Sequence, residues 1–484
     1  MLLLLASVLA LQCPDGSPPP CSRMAAAAPL SVAVLTFGNQ SRDTGDAYLA
    51  DGLSDEIASK LGQVGRLSVA SRASVRRLRD ADALPTAALG RAFRSAYLVA
   101  GTVQGSGSRL RVSVELLRAA DGRQAWSNTY DRQRADLLAI QSDVATEVAR
   151  AIVGRLLPQE QSRLATRPTR NPAAYDRVLR ATYLIGRRTA LDSRRAITEL
   201  EAALRLDSAY ADAYALLSMS WSIVYEWGWS PPGVTAEAIM DRSTRAAERA
   251  LQLDSLSATA WLALARSRVL RVDVPMSEIE GPLRRAIAID SSNAEAYHLL
   301  GSWMIESGQE AQAQPILERA LALDPGRPIT LTWRAVGRMH ARDYRGARRW
   351  TDSALASSPG FFYALIVRSA VRTLQGDVVG ARRDALEAMR EDTLLATAVL
   401  AFAEARGGDS AAARRLLAHF TSTHDEAVAW AAAAHLAIGE RERALERLET
   451  VTPSKYVGMY LEYAVFDPLR EDPRFQAVYR RYRS

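Results

Sequence analysis

Lysine is almost missing from this chain: Lys60 and Lys455 are the only two, so nearly all of the 61 basic residues are arginine. With abundant alanine and glycine, that bias reads as the codon habit of a GC-rich genome rather than selection for a polyanion. The net charge of +7 is spread over 484 residues, and aromatic residues make up only 7%. No basic stripe is interleaved with aromatics, so no nucleic-acid partner is expected. Cysteine is nearly absent too. Cys13 and Cys21 bracket a proline-rich lead, where an oxidising compartment would let them pair, and none is left for a structural zinc site. The five histidines are His298, His340, His419, His424 and His435; they form no HExxH motif. Walker loops, nucleophile elbows and kinase motifs are also missing, so the chain is not expected to be an enzyme or to carry a cofactor or metal.

Long apolar runs are scarce. The one targeting candidate, Met1–Leu11, is too short to span a bilayer and has no cation before it. It suits the core of a signal peptide, or the end of a hydrophobic segment that begins upstream. A lipid anchor at Cys13 is a third reading, which Gln12 directly before it disfavours. A periplasmic or membrane-associated protein tethered through its N-terminus is expected, with the cytoplasm as the alternative.

What is present is ordinary globular composition, 48% apolar and 24% charged, in a chain long enough for two or three domains. After a lead of residues 1–30, SVAVLTF (31–37) has the pattern of a strand buried on both faces. In DAYLADGLSDEIASKL (46–61), Leu49, Leu53, Ile57 and Leu61 recur every four residues and predict a helix. RLSVAS is a second strand, and Pro85 opens a helix with Leu89 and Phe93 inward. YLVAGTV, LRVSVELL and QAWSNTY follow as strands joined at Gly105–Ser108 and Asp121-Gly122. A helix carrying Leu137, Ile140, Val144, Val148 and Ile152 closes the unit. The order predicts an α+β domain over 31–157, a mixed sheet with packed helices. GTVQGSGS lies at a hairpin, outside the strand-to-helix context that cradles phosphate.

SVAVLTFGNQSRD, YLADGLSDEI, AYLVAGTV and LRVSVELLRAADGRQAWSNTYDR together resemble the TolB-like N-terminal domain. That resemblance implies an accessory, non-catalytic module of the kind joined to tetratricopeptide repeats in bacterial regulators, adenylate-cyclase-type proteins and membrane-bound serine/threonine kinases. Asp51, Asp55 and Glu56 are the acidic cluster of that helix, and Glu56 precedes Lys60 by four, a favourable exposed pair. A solvated face would not split carboxylate pKa values as acid catalysis requires. Structural use is therefore expected, and an enzyme acting through these carboxylates is the remote alternative.

A linker is expected over 158–171. Beyond it a phrase returns, as ALRLDSAYADAY, ALQLDSLSATAW and AIAIDSSNAEAY, and Asp290, Asp324, Ser358 and Asp392 fall 34 residues apart. That period is the tetratricopeptide one. Residues 172–452 are therefore predicted to form an all-α solenoid of about eight helix pairs. Gly301, Ala313 and Ala320 should lie where the helices approach, with Ala265, Ala335, Ala347, Ala354, Ser369, Ala381, Ala388, Ala432 and Ala444 in equivalent places. By resemblance to the repeat family, the first helix of each pair lines a groove. Its candidates are Arg266, Val269, Glu295, His298, Ile305, Ile329, Val336, Met339, Tyr363 and Ile366, joined by Thr259, Leu262, Ser302 and Thr332. Such a lining suits a protein or peptide partner with hydrophobic anchors, and core packing is the competing use of each position. YEWGWSPPG (225–233) is a wedge or a binding knob. Arg348-Arg349, Arg382-Arg383 and Arg414-Arg415 read as a solvated face, with a ridge for an acidic partner as the alternative, and 453–484 as a capping tail. The function expected is a scaffold for protein partners. Its rival is the sensory half of a larger kinase or adenylate-cyclase-type protein.

Overall fold

The computed structural model describes residues 30–77, 84–187, 189–226, 229, 231, 233–269, 271, 274, 277–418, 420–421, 425–451 and 457–483. Met1–Leu11, Cys13 and Cys21 lie outside them, as does much of the 225–233 loop. No helix among the described residues is long and apolar enough to cross a membrane.

The sheet comprises β1 (Leu30–Val34), β2 (Gly38–Asn39), β3 (Leu67–Val69), β4 (Tyr97–Ser106), β5 (Arg109–Arg118) and β6 (Gln124–Gln133). Its order is β3-β1-β4-β5-β6, with β2 pairing onto β4. β1 runs parallel to β3 and β4, while β4, β5 and β6 form an antiparallel meander, so the sheet is mixed as expected. Helices α1 (Ala47–Gly62), α2 (Arg72–Arg77), α3 (Thr86–Phe93) and α4 (Leu137–Val153) pack on it. Leu49, Leu53, Ile57 and Leu61 of α1 are fully buried with Leu110, Val112 and Leu116 of β5. Val75, Leu89 and Phe93 cover the other face at Ala33 and Leu98.

The stretch expected as a linker carries α5 (Pro158–Ala165). Pro158 supplies the first helical position, where its missing N–H costs nothing. Glu160 accepts from the Leu157 N–H at 2.8 Å and pairs with Arg66, and Leu164 is fully buried. Residues 158–165 are thus bolted to the α/β domain.

Eight helix pairs follow among the described residues. They are α6 and α7 (Pro172–Arg187, Ala190–Leu206), α8 and α9 (Ala211–Glu226, Ala236–Leu253), and α10 and α11 (Ala258–Val269, Ser277–Ile289). Next come α12 and α13 (Ala294–Glu306, Glu310–Leu323), α14 and α15 (Pro328–His340, Tyr344–Ser357), and α16 and α17 (Phe362–Leu374, Val378–Ala388). The last are α18 and α19 (Thr393–Arg406, Ser410–Ala418) and α20 and α21 (Asp425–Ala437, Arg441–Glu449), followed by α22 (Val457–Leu461) and α23 (Pro473–Arg483).

The 34-residue clock marks helix ends. Asp290, Asp324 and Ser358 each follow the last residue of a second helix, and the Asp392 side chain caps α18 by accepting from Leu395 N–H. The predicted small positions are buried: Ala313, Ala335, Ala347, Ala354, Ser369, Ala381 and Ala432 show no exposed surface. At Gly301 an added Cβ would lie 2.5 Å from Leu317 Cδ2, so only hydrogen fits between α12 and α13. Gly301→Ala is expected to cost about 1–3 kcal/mol, read as a lower urea midpoint at unchanged slope. An unshifted midpoint would mean that the pair opens freely. The arginine doublets face solvent as expected, with only Arg348 half-buried, and one member of each also reaches the next pair. Arg348 meets Asp377, Arg382 forks onto Glu404, and Arg414 meets Glu440.

Candidate functional site

Two places carried candidate chemistry, the carboxylates of α1 and the concave face of the solenoid.

The polar face of α1 is covered, which corrects the expectation of a solvated one. α6 crosses it so closely that a Cβ on Gly52 would sit 2.8 Å from Leu179 Cδ2. Asp55 is buried under Arg72 and Arg76, and Asp51 lies 3.8 Å from Arg76. Lys60 is also buried, and its Nζ donates to the carbonyls of Leu164 and Thr166 at 2.7 and 2.8 Å, capping the end of α5. Glu56 accepts from Gln141 Nε2 at 3.1 Å, and Gln141 Oε1 in turn accepts from Tyr175 O–H at 2.8 Å. Burial pushes the Glu56 carboxyl up to about 7, against the pull of Arg72, and Asp212 and Asp55 add to the rise. One buried cluster runs from Val32 through Leu53, Tyr175 and Leu179 to Ile239, so the α/β domain and the first helix pairs share a core. Ser74 of α2 reaches further, bonding Asp324 in the loop before α14. The ion pairs and hydrogen bonds of Asp51, Asp55 and Glu56 stay within the α/β domain, and Gln141 relays Glu56 to Tyr175 of α6.

On the concave face the groove candidates fall into two groups. Arg266 and Glu295 belong to a charge ladder that also includes Glu226 and Arg327, two residues that sequence reasoning missed. Arg266 lies 2.5 Å from Glu226 and 3.2 Å from Glu295, which Arg327 also grips. Burial opposes the Glu295 charge, but Arg327, His298 and Arg266 hold its carboxyl well below the usual range. His298 is buried with Nδ1 3.1 Å from Thr330 Oγ1; burial, with Arg327 close by, pushes its pKa down to about 3. It is therefore neutral at ordinary pH and packs as a polar core residue.

The apolar candidates had two expected uses, an open groove or the core between repeats. Ile305, Val336, Met339 and Ile366 are buried, at 1%, 0%, 4% and 0% exposure, and Val269, Ile329 and Tyr363 pack partly buried against the same cluster. Leu262, Ser302 and Thr332 are buried as well. Two things account for this: first helices of successive pairs pack on one another, Ile305 of α12 lying against Gly337 of α14, and the far end of the chain adds a cover. α22 and a 3-10 helix over Ala464–Leu469 pack against first helices of the pairs, α22 touching both α12 and α20 and the 3-10 helix touching α20. Met459, Tyr460, Leu461, Tyr463, Phe466 and Leu469 are buried in the cluster that holds the groove candidates. The Tyr463 ring stacks on Trp430 at 5.3 Å and lies 4.9 Å from His340. Tyr460 O–H donates to Glu426 at 3.1 Å. The tail expected only as an end cap therefore fills the face as well. Its legible signal was Tyr460, Tyr463 and Phe466 spaced three apart, a stripe outside the repeat register.

Among the described residues no group of three or more His, Cys, Asp or Glu is placed to hold a metal ion. No protein-family model matches the chain. Over 211 residues, 43% of its length, it is 30% identical to a protein of Rhizobium meliloti (strain 1021) named "Putative adenylate cyclase 3", and it covers 36% of that relative. The chain thus spans little more than a third of that relative's length. Among solved structures it is similar to YrrB, described as a TPR protein with an unusual peptide-binding site, at 19% identity over 41% of this chain and 95% of that one, TM-score 0.29. PilW, a type IV pilus biogenesis factor, is 19% identical over 43% and 90%, TM-score 0.37. The Cut9–Hcn1 assembly gives 14% identity over 72% and 63%, TM-score 0.44. The helix-pair architecture itself rests on the packing and register of this chain.

Proposed function

We propose that this chain is a non-catalytic protein-interaction scaffold, a TolB-like α/β domain fused to a tetratricopeptide-type solenoid that holds a segment of a protein partner. The observation that carries the reading is the face formed by the first helices α12–α20, mainly apolar and engaged with a segment through side chains. A preformed face spends little free energy on ordering itself when a segment arrives. The shared core from Val32 to Ile239 further supports a fixed platform over two loosely tethered units. Full-length chain used as bait, with the captured partner then purified and titrated against it, tests the reading. A purified chain that turns over a small molecule, cyclic AMP from ATP being the first to assay, would overturn it.

The second reading is the regulatory half of an adenylate-cyclase-type signalling protein, supported by the 30% identity to the cyclase-named relative. Adding the purified chain to that relative's remaining portion and following cyclase rate separates the two: a changed rate favours regulation. The proposed place of action is the cell envelope, supported only by the apolar run Met1–Leu11. Fractionation that leaves the full chain with cytoplasmic proteins would refute it.

A further inference from the structure

The turn after the first helix of a pair places Gly308, Arg342 and Gly376 one repeat apart, all in the left-handed region, at φ 76, 57 and 83°. Gly408 and Gly439 take the same conformation in the last two turns. That region suits glycine and disfavours any residue with a Cβ, so Arg342 is the exception in its own series. A left-handed non-glycine residue calls for a reason, and the Arg342 side chain supplies one: its Nη2 lies 2.8 Å from Asp467 Oδ2 in the tail.

The tail is also attached in an unusual way. The backbone hydrogen bonds from Glu462, Tyr463, Phe466 and Arg470 all return to carbonyls three residues back. Side chains make its contacts with the solenoid: Tyr460 on Glu426, Tyr463 on Trp430 and His340, Asp467 on Arg342, and Arg441 on the Pro468 carbonyl. A five-residue helix has no stability of its own, so the segment takes its shape from the face it lies on. Peptide ligands of helical grooves are held in the same way, by anchors at helical spacing.

We infer that residues 457–469 are a built-in pseudo-ligand, displaced when the scaffold takes a partner segment of matching chemistry. That partner presents aromatic or long apolar anchors three residues apart, followed by a carboxylate for Arg342. The inference rests on the scaffold reading and names the class of segment its face accepts. As an intramolecular competitor at millimolar effective concentration, the tail holds the face closed to weak binders, and only a matching segment displaces it.

The test uses the full chain and a labelled peptide of residues 457–483. Tyr463→Ala with Asp467→Ala weakens the tail while leaving every residue of the face intact. This variant should take up the native peptide roughly 100-fold more tightly than the wild-type chain does. A peptide carrying the same two substitutions should bind neither. Hydrogen exchange on the unaltered chain gives a second readout, in which amides of 457–469 exchange together, ahead of those in α20 and α21. Should the variant stay folded and refuse the peptide, or the tail exchange only on global unfolding, the segment is a permanent part of the core. Either result with partner capture intact would move the partner to another surface and leave the scaffold reading standing.

Discussion

Asp384→Ala should lower the stability of the chain by about 3 kcal/mol, near the bottom of the range for breaking a buried ion pair. Asp384 sits on α17 with 1% of its side chain exposed, and both its oxygens are used. Arg368 forks onto it with two bonds of 2.8 Å, and Arg372, one turn later on α16, lies 3.0 Å away. Alanine would leave two guanidinium groups, 17% and 13% exposed, facing a hole where their counter-charge had been. Their remaining partners, Asp352 for Arg368 and Asp377 for Arg372, keep the loss from the top of the range. Because much of the cost is the penalty of stranded charge, removing charge from both sides should cost less than removing it from one. A chain with Arg368→Met, Arg372→Met and Asp384→Leu should recover most of the lost urea midpoint. A single-variant loss under about 1 kcal/mol would show the cluster to be as weak as a surface pair. The consequence reaches the candidate site, because α16 also carries Tyr363 and Ile366 beneath the tail. Loosening α16 should speed exchange of the tail amides before those of the α/β domain.

How far this architecture could be read from the sequence depended on whether the signal was local. The 34-residue spacing and the alanines at closest approach are short-range facts, repeated often enough to be unambiguous, and each sits where expected. The stripe Leu49-Leu53-Ile57-Leu61 likewise names the buried face of α1. Its opposite face shows where such reasoning stops. Amphipathicity tells which side of a helix is apolar, but a polar side can be buried too when its charges find partners on a distant element. Asp55 meets Arg72 and Arg76, and Lys60 meets two carbonyls more than 100 residues away. Gly52, in mid-helix where glycine is disfavoured, was the local hint of a crossing helix, and Leu179 fills the space it leaves. The covered groove was harder. Nothing in the repeats themselves says that a segment about 100 residues beyond Val336 and Ile366 will lie on them, and family resemblance describes only the open face. Burial of Val336 also changes what a test can use: an aspartate there would break the core rather than only block a partner.

Between pH 5 and 8 the junction of the two parts should lose stability, and Glu56→Gln should remove most of that loss. The Glu56 carboxyl is raised from an ordinary 4.5 to about 7 in the folded chain, first by burial and then by Asp212 and Asp55, with Arg72 and Lys60 pulling the other way. The folded state therefore holds this proton more tightly than the unfolded state does. Its contribution is complete below about pH 4.5, declines as pH rises, and is gone above about 7, where an ionised carboxylate must be kept under α6. Glu56 retains some contact with water, so the effect is on the order of 2 kcal/mol rather than the full value of the shift. Glutamine keeps the shape and still accepts from Gln141 Nε2, but carries no proton to lose. At pH 8 the variant should unfold at a higher urea concentration than the wild-type chain, and at pH 5 the two should nearly coincide. Asp212 is raised by burial as well and stays in both proteins, so only the part of its titration that is coupled to Glu56 enters the difference. Parallel curves, offset by the same amount at every pH, would mean that Glu56 is ionised throughout and that the seam between α1 and α6 is wetter than its packing implies.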